Sequence, residues 1–201
     1  MSDTLETLLA EIRACTECRE HLPLGPRPVV VANKSAKVLI IGQAPGTKVH
    51  ESGIPWNDRS GDTLRGWMDV DREQFYDAGR IAIMPMGFCY PGVLKNGGDA
   101  PPRPECAPLW HDRLRAHLPN IELTLLAGMY AQAAYLGPTR QKTLTATVAT
   151  WRDYGPDVIP LPHPSWRSGN LIRKNPWFET DLLPHLRARV KELLSQGRSP
   201  P

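Results

Sequence analysis

The sequence lacks any apolar run long enough to cross a membrane. A membrane-spanning helix needs about 18 or more consecutive apolar residues, whereas apolar stretches such as Val38–Ile41 are far shorter. Residues 1–6 also lack the basic segment and the apolar core of an export signal. We therefore expect no contact with a membrane, and we expect a cytoplasmic protein.

Net charge and cysteine are scarce as well. The formal net charge is +3, which is too small to identify a nucleic-acid partner by itself. Four cysteines in 201 residues are too few for a disulfide-dense scaffold. The chain is nevertheless long enough to bury a core of its own. We expect one domain over residues 1–201, with a loose tail at 196–201, and a monomer.

Proline, by contrast, is abundant, and apolar runs alternate with helical patterns between proline-rich loops. The 21 prolines cluster at residues 23–28, 101–108 and 156–164. Strands are predicted at Val38–Ile41, 80–84, 121–127 and Val158–Leu161, and helices at 3–14, 61–68, 105–118, Met129–Leu136, 144–151 and 176–194. The alternation predicts an α/β fold, a three-layer αβα sandwich with a four-stranded, mainly parallel sheet.

The loop after the first predicted strand is rich in glycine and proline. Gly42, Pro45 and Gly46 form a tight turn whose backbone N–H groups can face a polar ligand. Ser60 is predicted to cap the helix at 61–68, which adds a second group of free amides. Because chemistry in parallel sheets collects where strands end, this region is predicted to bind a flat polar ligand and a phosphate.

A histidine follows the fourth predicted strand. His163 lies between Pro162 and Pro164, and this rigid loop projects it toward the same sheet edge as residues 42–46. Single histidines are more often structural or merely exposed than functional. This position is poorly suited to packing, however, so the shared edge predicts a functional histidine.

The four cysteines indicate a second candidate site. Cys15 and Cys18 form a Cys-x-x-Cys pair after the first predicted helix, while Cys89 and Cys106 lie far along the chain. In a reducing compartment this arrangement favours a four-thiolate metal site over disulfides. The spacing fits both zinc and an iron–sulfur cluster, and two pairs of buried free thiols are the alternative.

The order of these motifs resembles that of the uracil-DNA glycosylase superfamily. The resemblance rests on the four cysteines and on three runs, Gly42-Gln-Ala-Pro-Gly46, Gly53-Ile-Pro-Trp56 with Ser60-Gly61, and His163-Pro-Ser165. It spans nearly the whole chain and is strongest with the iron–sulfur family 4 enzymes. It implies a DNA partner, hydrolysis of the N-glycosidic bond of uracil or another deaminated base, and a [4Fe–4S] cluster held by the four cysteines.

The resemblance also implies roles for single residues. Trp56 takes the position of the aromatic ring that stacks on the flipped base, and His163 faces the base O2, where negative charge develops. The candidate catalytic residues are His163, Gln43 and Asp58, and Asp58 is preferred for water activation, with helix capping as its alternative role. The resemblance further implies residues that contact the base or the flanking phosphates, or that fill the gap left in the base stack. These are Gly42, Ala44, Asn57, Ser60, Ser165, Trp166 and Arg167.

Three positions depart from the family pattern. Gln43 replaces the Glu of family 4, Ala44 replaces the catalytic Asp of family 1, and Pro85 replaces an Asn that reads the uracil edge. Proline has no side-chain hydrogen-bonding group, so backbone groups of Met86 and Gly87 are predicted to read the base instead. Discrimination should then be weaker, with hypoxanthine or xanthine accepted beside uracil. The alternatives are a lesion-binding protein with little turnover and an iron–sulfur redox or sensor protein.

Overall fold

A four-stranded sheet forms the centre of the fold. In the computed structural model, which describes residues 4–95 and 97–195, the strands are β1 Val38–Ile41, β2 Ile81–Ile83, β3 Leu123–Ala127 and β4 Val158–Leu161. They lie in the order β2-β1-β3-β4, and every neighbouring pair is parallel. The predicted α/β fold is therefore confirmed, while the predicted tail at 196–201 lies outside the described residues.

Helices cover both faces of this sheet. The α-helices are α1 Leu5–Arg13, α2 Thr47–Ser52, α3 Arg59–Met68, α4 Arg72–Tyr76, α5 Cys106–Ala116, α6 Met129–Leu136, α7 Leu144–Ala149, α8 Gly169–Lys174 and α9 Leu183–Ser195. Val38 and Ile40 of β1 belong to one core cluster with residues of α3 and α9, whereas Leu39 and Ile41 belong to a second with residues of α1, α5 and α6. This alternation along one strand gives the three-layer αβα sandwich.

Two helix predictions need correction. α3 begins two residues before its predicted start, because Asp58 rather than Ser60 is the N-cap residue. The predicted closing helix at 176–194 is divided, since a π-helical turn at Phe178–Leu182 leads into α9. The short helices α2, α4 and α8 have no counterpart in the sequence prediction, because each contains at most two large apolar side chains, too few to show a helical period.

The strands all end at one edge of the sheet because they are parallel. Gly42 follows β1, Gly128 follows β3, and Pro162 and His163 follow β4. This edge is where a ligand-binding crevice is expected in an open parallel sheet. No helix within the described part of the chain has both the length and the apolar character that a membrane crossing requires.

Candidate active site

A pocket, called here the central pocket, opens at the carboxyl edge of the sheet. It is formed by the loop after β1, the connection into α3, the ends of β2 and β4, and the loop that precedes α5. Its lining residues are Val29, Gly42, Gln43, Ala44, Pro45, Gly46, Val49, Pro55, Trp56, Asp58, Ser60, Ile83, Pro85, Asp99 and His163. The structure thus brings most of the predicted base-contacting residues together, and it adds Asp99.

Trp56 and His163 are neighbours in this pocket. Their ring centroids are 5.7 Å apart and the ring planes are inclined by 36°. The Trp56 ring also lies against the backbone of Gly42, where an added Cβ would come within 2.7 Å of a ring carbon. Glycine at position 42 is therefore required for the aromatic ring to reach its place beside the end of β1.

The Trp56 backbone is held in an unusual conformation. Its φ of 55° lies in the left-handed region, which is strained for a bulky side chain. Arg65, which is buried in α3, donates a hydrogen bond of 3.3 Å to the Trp56 carbonyl oxygen and pairs with Asp62 at 2.6 Å. Sequence reasoning did not single out Arg65. The one sequence feature that could have indicated its role is its position beside Leu64, on the otherwise apolar face of α3.

His163 is fixed by its backbone and is neutral near pH 7. Its carbonyl oxygen accepts hydrogen bonds from the Ser165 amide at 2.8 Å and the Ser168 hydroxyl at 2.6 Å. Burial lowers the pKa of His163, while the nearby carboxylates of Asp99 and Asp58 act in the opposite direction. A neutral imidazole retains one N–H, so this ring can donate a hydrogen bond to a ligand without carrying a charge.

Asp58 caps helix α3, the role that the sequence analysis gives as the alternative to water activation. Its Oδ1 accepts a hydrogen bond of 2.9 Å from the Gly61 amide and so caps α3. Ser60 is not the cap, which corrects the sequence prediction, but it does line the central pocket. Asp58 also lines that pocket, yet one of its two oxygens is already committed to the helix.

The loop after β1 is hydrogen-bonded to the loop after β2. The Gly42 carbonyl accepts from the Met86 amide at 2.9 Å, and the Gln43 carbonyl accepts from the Gly87 amide at 3.0 Å. The Met86 side chain is buried in the core. Both N–H groups therefore already have backbone partners, so the prediction that backbone groups of Met86 and Gly87 read a base rests on their carbonyl oxygens.

Pro85 lines the central pocket, and its backbone carbonyl is also occupied. The buried His111 places Nε2 at 3.1 Å from the Pro85 carbonyl oxygen and Nδ1 at 2.8 Å from the Tyr135 hydroxyl. A carbonyl can only accept, so Nε2 carries the proton and the hydroxyl donates to Nδ1. Burial lowers the pKa of His111 to about 4, which keeps this bridge between α5, α6 and the Pro85 loop uncharged.

Two other predicted contacts lie in different places. The Asn57 side-chain oxygen accepts a hydrogen bond of 3.1 Å from Arg72, and Asn57 does not line the central pocket. The predicted contact of Asn57 with the base therefore stays a prediction that the lining of this pocket does not support. Gln43 does line the pocket, and its Nε2 donates to the Ala100 carbonyl at 2.9 Å, which leaves its side-chain oxygen for another partner.

A wider groove, called here the outer groove, adjoins the central pocket. The two share Gln43, Ser60, Asp99 and His163. The outer groove is also lined by Ser165, Trp166 and Arg167, which were predicted to contact phosphates or to fill the gap in the base stack. Two further basic side chains line it that the sequence analysis did not name, Arg140 and Lys142. Trp166 is 83% exposed, and the Arg167 guanidinium lies 5.0 Å from the centre of its ring.

The four cysteines line one further cavity, called here the thiol cavity. Cys15 follows α1, Cys18 precedes a short 3₁₀ turn, Cys89 lies in the loop after β2 and Cys106 begins α5. The Phe88 amide donates to the Cys106 sulfur at 3.3 Å. Burial raises the pKa of the Cys89 thiol to about 11 and that of the Cys106 thiol to about 12.

The thiols are not arranged around a single point. Within residues 4–95 and 97–195, no group of three or more His, Cys, Asp or Glu side chains is placed to hold one metal ion. A zinc ion draws its four sulfur ligands to about 2.3 Å from one centre. The four cysteines therefore line one cavity from three parts of the chain without forming a preassembled site for a single metal ion.

The family model described as the uracil DNA glycosylase superfamily matches residues 29–187 of this chain. The matched segment contains all four strands and every residue that lines the central pocket. It also contains Cys89 and Cys106, while Cys15 and Cys18 precede it. The match therefore covers well over half of the chain and all of the candidate site at the sheet edge.

Proposed function

Because this chain belongs to the uracil DNA glycosylase superfamily, we propose that it hydrolyses the N-glycosidic bond of a deaminated base flipped out of DNA. The observation that carries the proposal is the central pocket, in which Trp56 and a neutral His163 face one opening at the sheet edge. An aromatic face and a fixed hydrogen-bond donor are the two features that a flipped base requires.

His163 acts on the charge that develops during bond cleavage. As the bond between C1′ and the base nitrogen breaks, its electron pair passes into the base and negative charge builds up on the base oxygen. A neutral N–H aimed at this oxygen binds the transition state more tightly than the ground state. Hydrogen bonds from Ser165 and Ser168 to the His163 carbonyl oxygen, together with the flanking prolines, hold the backbone that carries the imidazole.

The outer groove supplies the path for the DNA strand. A nucleotide that enters the central pocket has its neighbours in the groove, because the two cavities are continuous through Ser60 and His163. Arg140, Lys142 and Arg167 face the groove and offer positive charge to the backbone phosphates. The exposed ring of Trp166, on the loop just after His163, is the wedge that fills the gap left in the base stack.

The specificity for the base depends on the part of the central pocket that is lined by Pro85. This wall offers no side-chain donor or acceptor, its carbonyl is bonded to His111, and the following amides are bonded to the β1 loop. Of the candidate readers, Gln43 retains a side-chain oxygen that faces the pocket. One adaptable amide reads a base less strictly than a dedicated set of donors and acceptors, so hypoxanthine or xanthine is accepted beside uracil.

Release of free base under single-turnover conditions tests this function. Duplex oligonucleotides carrying uracil, hypoxanthine or xanthine opposite the same partner base are compared with an otherwise identical duplex that has no damaged base. We expect release from the damaged duplexes only, with a preference for uracil over hypoxanthine below about 10⁴. Tight binding of all three without release would contradict hydrolysis, and a larger uracil preference would contradict the relaxed specificity.

We also propose that Cys15, Cys18, Cys89 and Cys106 hold a [4Fe–4S] cluster with a structural role. The thiol cavity fits such a group, since its sulfur atoms come from the segment after α1, the loop after β2 and the start of α5. A bound cluster closes the long chain segments between these elements and so stabilises their packing. It lies outside the central pocket, whose lining residues carry out the hydrolysis.

Metal analysis of anaerobically purified protein tests this cluster. We expect about four iron and four sulfide per chain, together with a broad visible absorbance. Cys106→Ala should lower both the iron content and the unfolding midpoint, whereas His21→Ala, which changes an exposed side chain near Cys18, should change neither. Stoichiometric zinc with no iron or sulfide would contradict the proposal.

A further inference from the structure

Asp99 lies where the central pocket joins the outer groove. It lines both cavities, together with Gln43, Ser60 and His163. The negative charge of Asp99 opposes the effect of burial on the pKa of His163, which is lowered overall. Among the described residues, no hydrogen bond or ion pair involves its carboxylate, so both oxygens remain open to a ligand or to water.

The loop that carries Asp99 is held in place by its backbone. Asp99 forms a β-bridge with Val93, and the Ala100 amide donates to the Gly92 carbonyl at 3.0 Å. The Ala100 carbonyl in turn accepts from Gln43 Nε2 at 2.9 Å. The residue next to Asp99 is thus tied to the loop after β1, and these backbone contacts on both sides keep Asp99 at the pocket wall.

Asp58, the other carboxylate of the pocket, is less suited to proton transfer. Its Oδ1 accepts from the Gly61 amide at 2.9 Å and caps α3. A carboxylate that accepts a proton at this oxygen loses the capping bond and the favourable interaction with the helix N-terminus. Asp99 has no such commitment in the described structure, although it does not belong to a recognisable sequence motif.

We propose that Asp99 is the general base that activates the attacking water, an inference that rests on the proposed glycosylase function. Water held at the junction of the two cavities adds through its oxygen to C1′ of the sugar. Its proton passes to the Asp99 carboxylate, while the electron pair of the breaking C1′–N bond passes into the base. The base leaves as an anion that accepts a hydrogen bond from His163 and is later protonated by solvent.

The variant Asp99→Asn tests this role, because it keeps the size of the side chain and removes its basicity. We expect the single-turnover rate of base release to fall about a hundredfold, within the usual range for a general base. Affinity for the same oligonucleotide, measured by fluorescence anisotropy, should be unchanged or higher.

The other charged groups at the pocket serve as internal references. His163, Asp58 and Arg167 all remain in Asp99→Asn, so a slower rate with unchanged affinity is assigned to the Asp99 carboxylate. Asp153→Asn is the matched control, because Asp153 is exposed on the turn before β4, at the opposite edge of the sheet. An unchanged rate in Asp99→Asn would overturn the role of Asp99. A wild type that releases no base from any substrate would instead overturn the proposed function.

Discussion

Replacing His163 with alanine should slow base release about a hundredfold or more. A hydrogen-bond donor aimed at a developing anion is worth about 2.7–4 kcal/mol of transition-state stabilisation, which corresponds to about two to three powers of ten in rate. The loss should appear in the single-turnover rate more than in substrate affinity, because the interaction strengthens as charge builds up. Single-turnover release from a uracil duplex at saturating enzyme measures it.

The neutral imidazole of His163 acts as a hydrogen-bond donor, and a second variant tests this role. Burial lowers the pKa of His163 below the ordinary value of about 6.5, so the ring stays neutral at neutral pH and somewhat below it. His163→Gln retains an N–H donor and should recover part of the rate lost in the alanine variant at pH 7. Equal rates for wild type and His163→Ala would show that the base oxygen is stabilised by another group.

Much of the fold could be predicted from the sequence because its signals are local. The bounds of β1, β4 and α6 coincide with the predicted ones, since an apolar run ends at a glycine or a proline in each case. The N-cap residue of α3 was misassigned because local sequence signals cannot distinguish its two candidates. Both Asp58 and Ser60 are good capping residues in sequence, and only the extended backbone at Asp58 selects between them.

The site was less predictable where it depends on contacts between distant loops. The amides of Met86 and Gly87 are free in any sequence-based view, and they become occupied only because the loop after β1 packs beside them. Asp99 lies in a loop of glycines and polar residues without a motif, and the contact between Gln43 and Ala100 holds that loop at the pocket. Such pairings need the three-dimensional arrangement of the strands, which local patterns do not encode.

Gly61→Ala should displace Trp56 and so disrupt the central pocket. Gly61 lies in the first turn of α3, directly under Trp56, and a Cβ added there would lie 1.7 Å from the Trp56 carbonyl oxygen and 2.9 Å from its Cβ. The added methyl must displace the Trp56 backbone, which is already strained and depends on its hydrogen bond from Arg65. Overpacking of this kind costs about 1–3 kcal/mol of unfolding free energy.

The displaced Trp56 should also weaken catalysis. Stacking of an aromatic ring on a base is worth about 1–3 kcal/mol, so an oligonucleotide substrate should bind Gly61→Ala roughly ten- to a hundredfold more weakly. Trp56→Ala removes the same ring without the clash. It should therefore match the loss of affinity in Gly61→Ala. Urea unfolding and fluorescence anisotropy with a uracil oligonucleotide measure the two effects separately.

Gly66→Ala, in the same helix, is the matched control for Gly61→Ala. Among the described residues, no atom other than those of the adjacent residues and the backbone of α3 itself lies within 4 Å of the Cβ that this substitution adds, and Gly66 is exposed on α3. Alanine is favoured over glycine in a helix by about 1 kcal/mol, so this variant should be slightly more stable than the wild type and fully active. The same chemical change thus has opposite signs at two positions five residues apart, because only Gly61 lies under Trp56. Similar stabilities for the two variants would mean that the Trp56 backbone does not rest on α3 in solution.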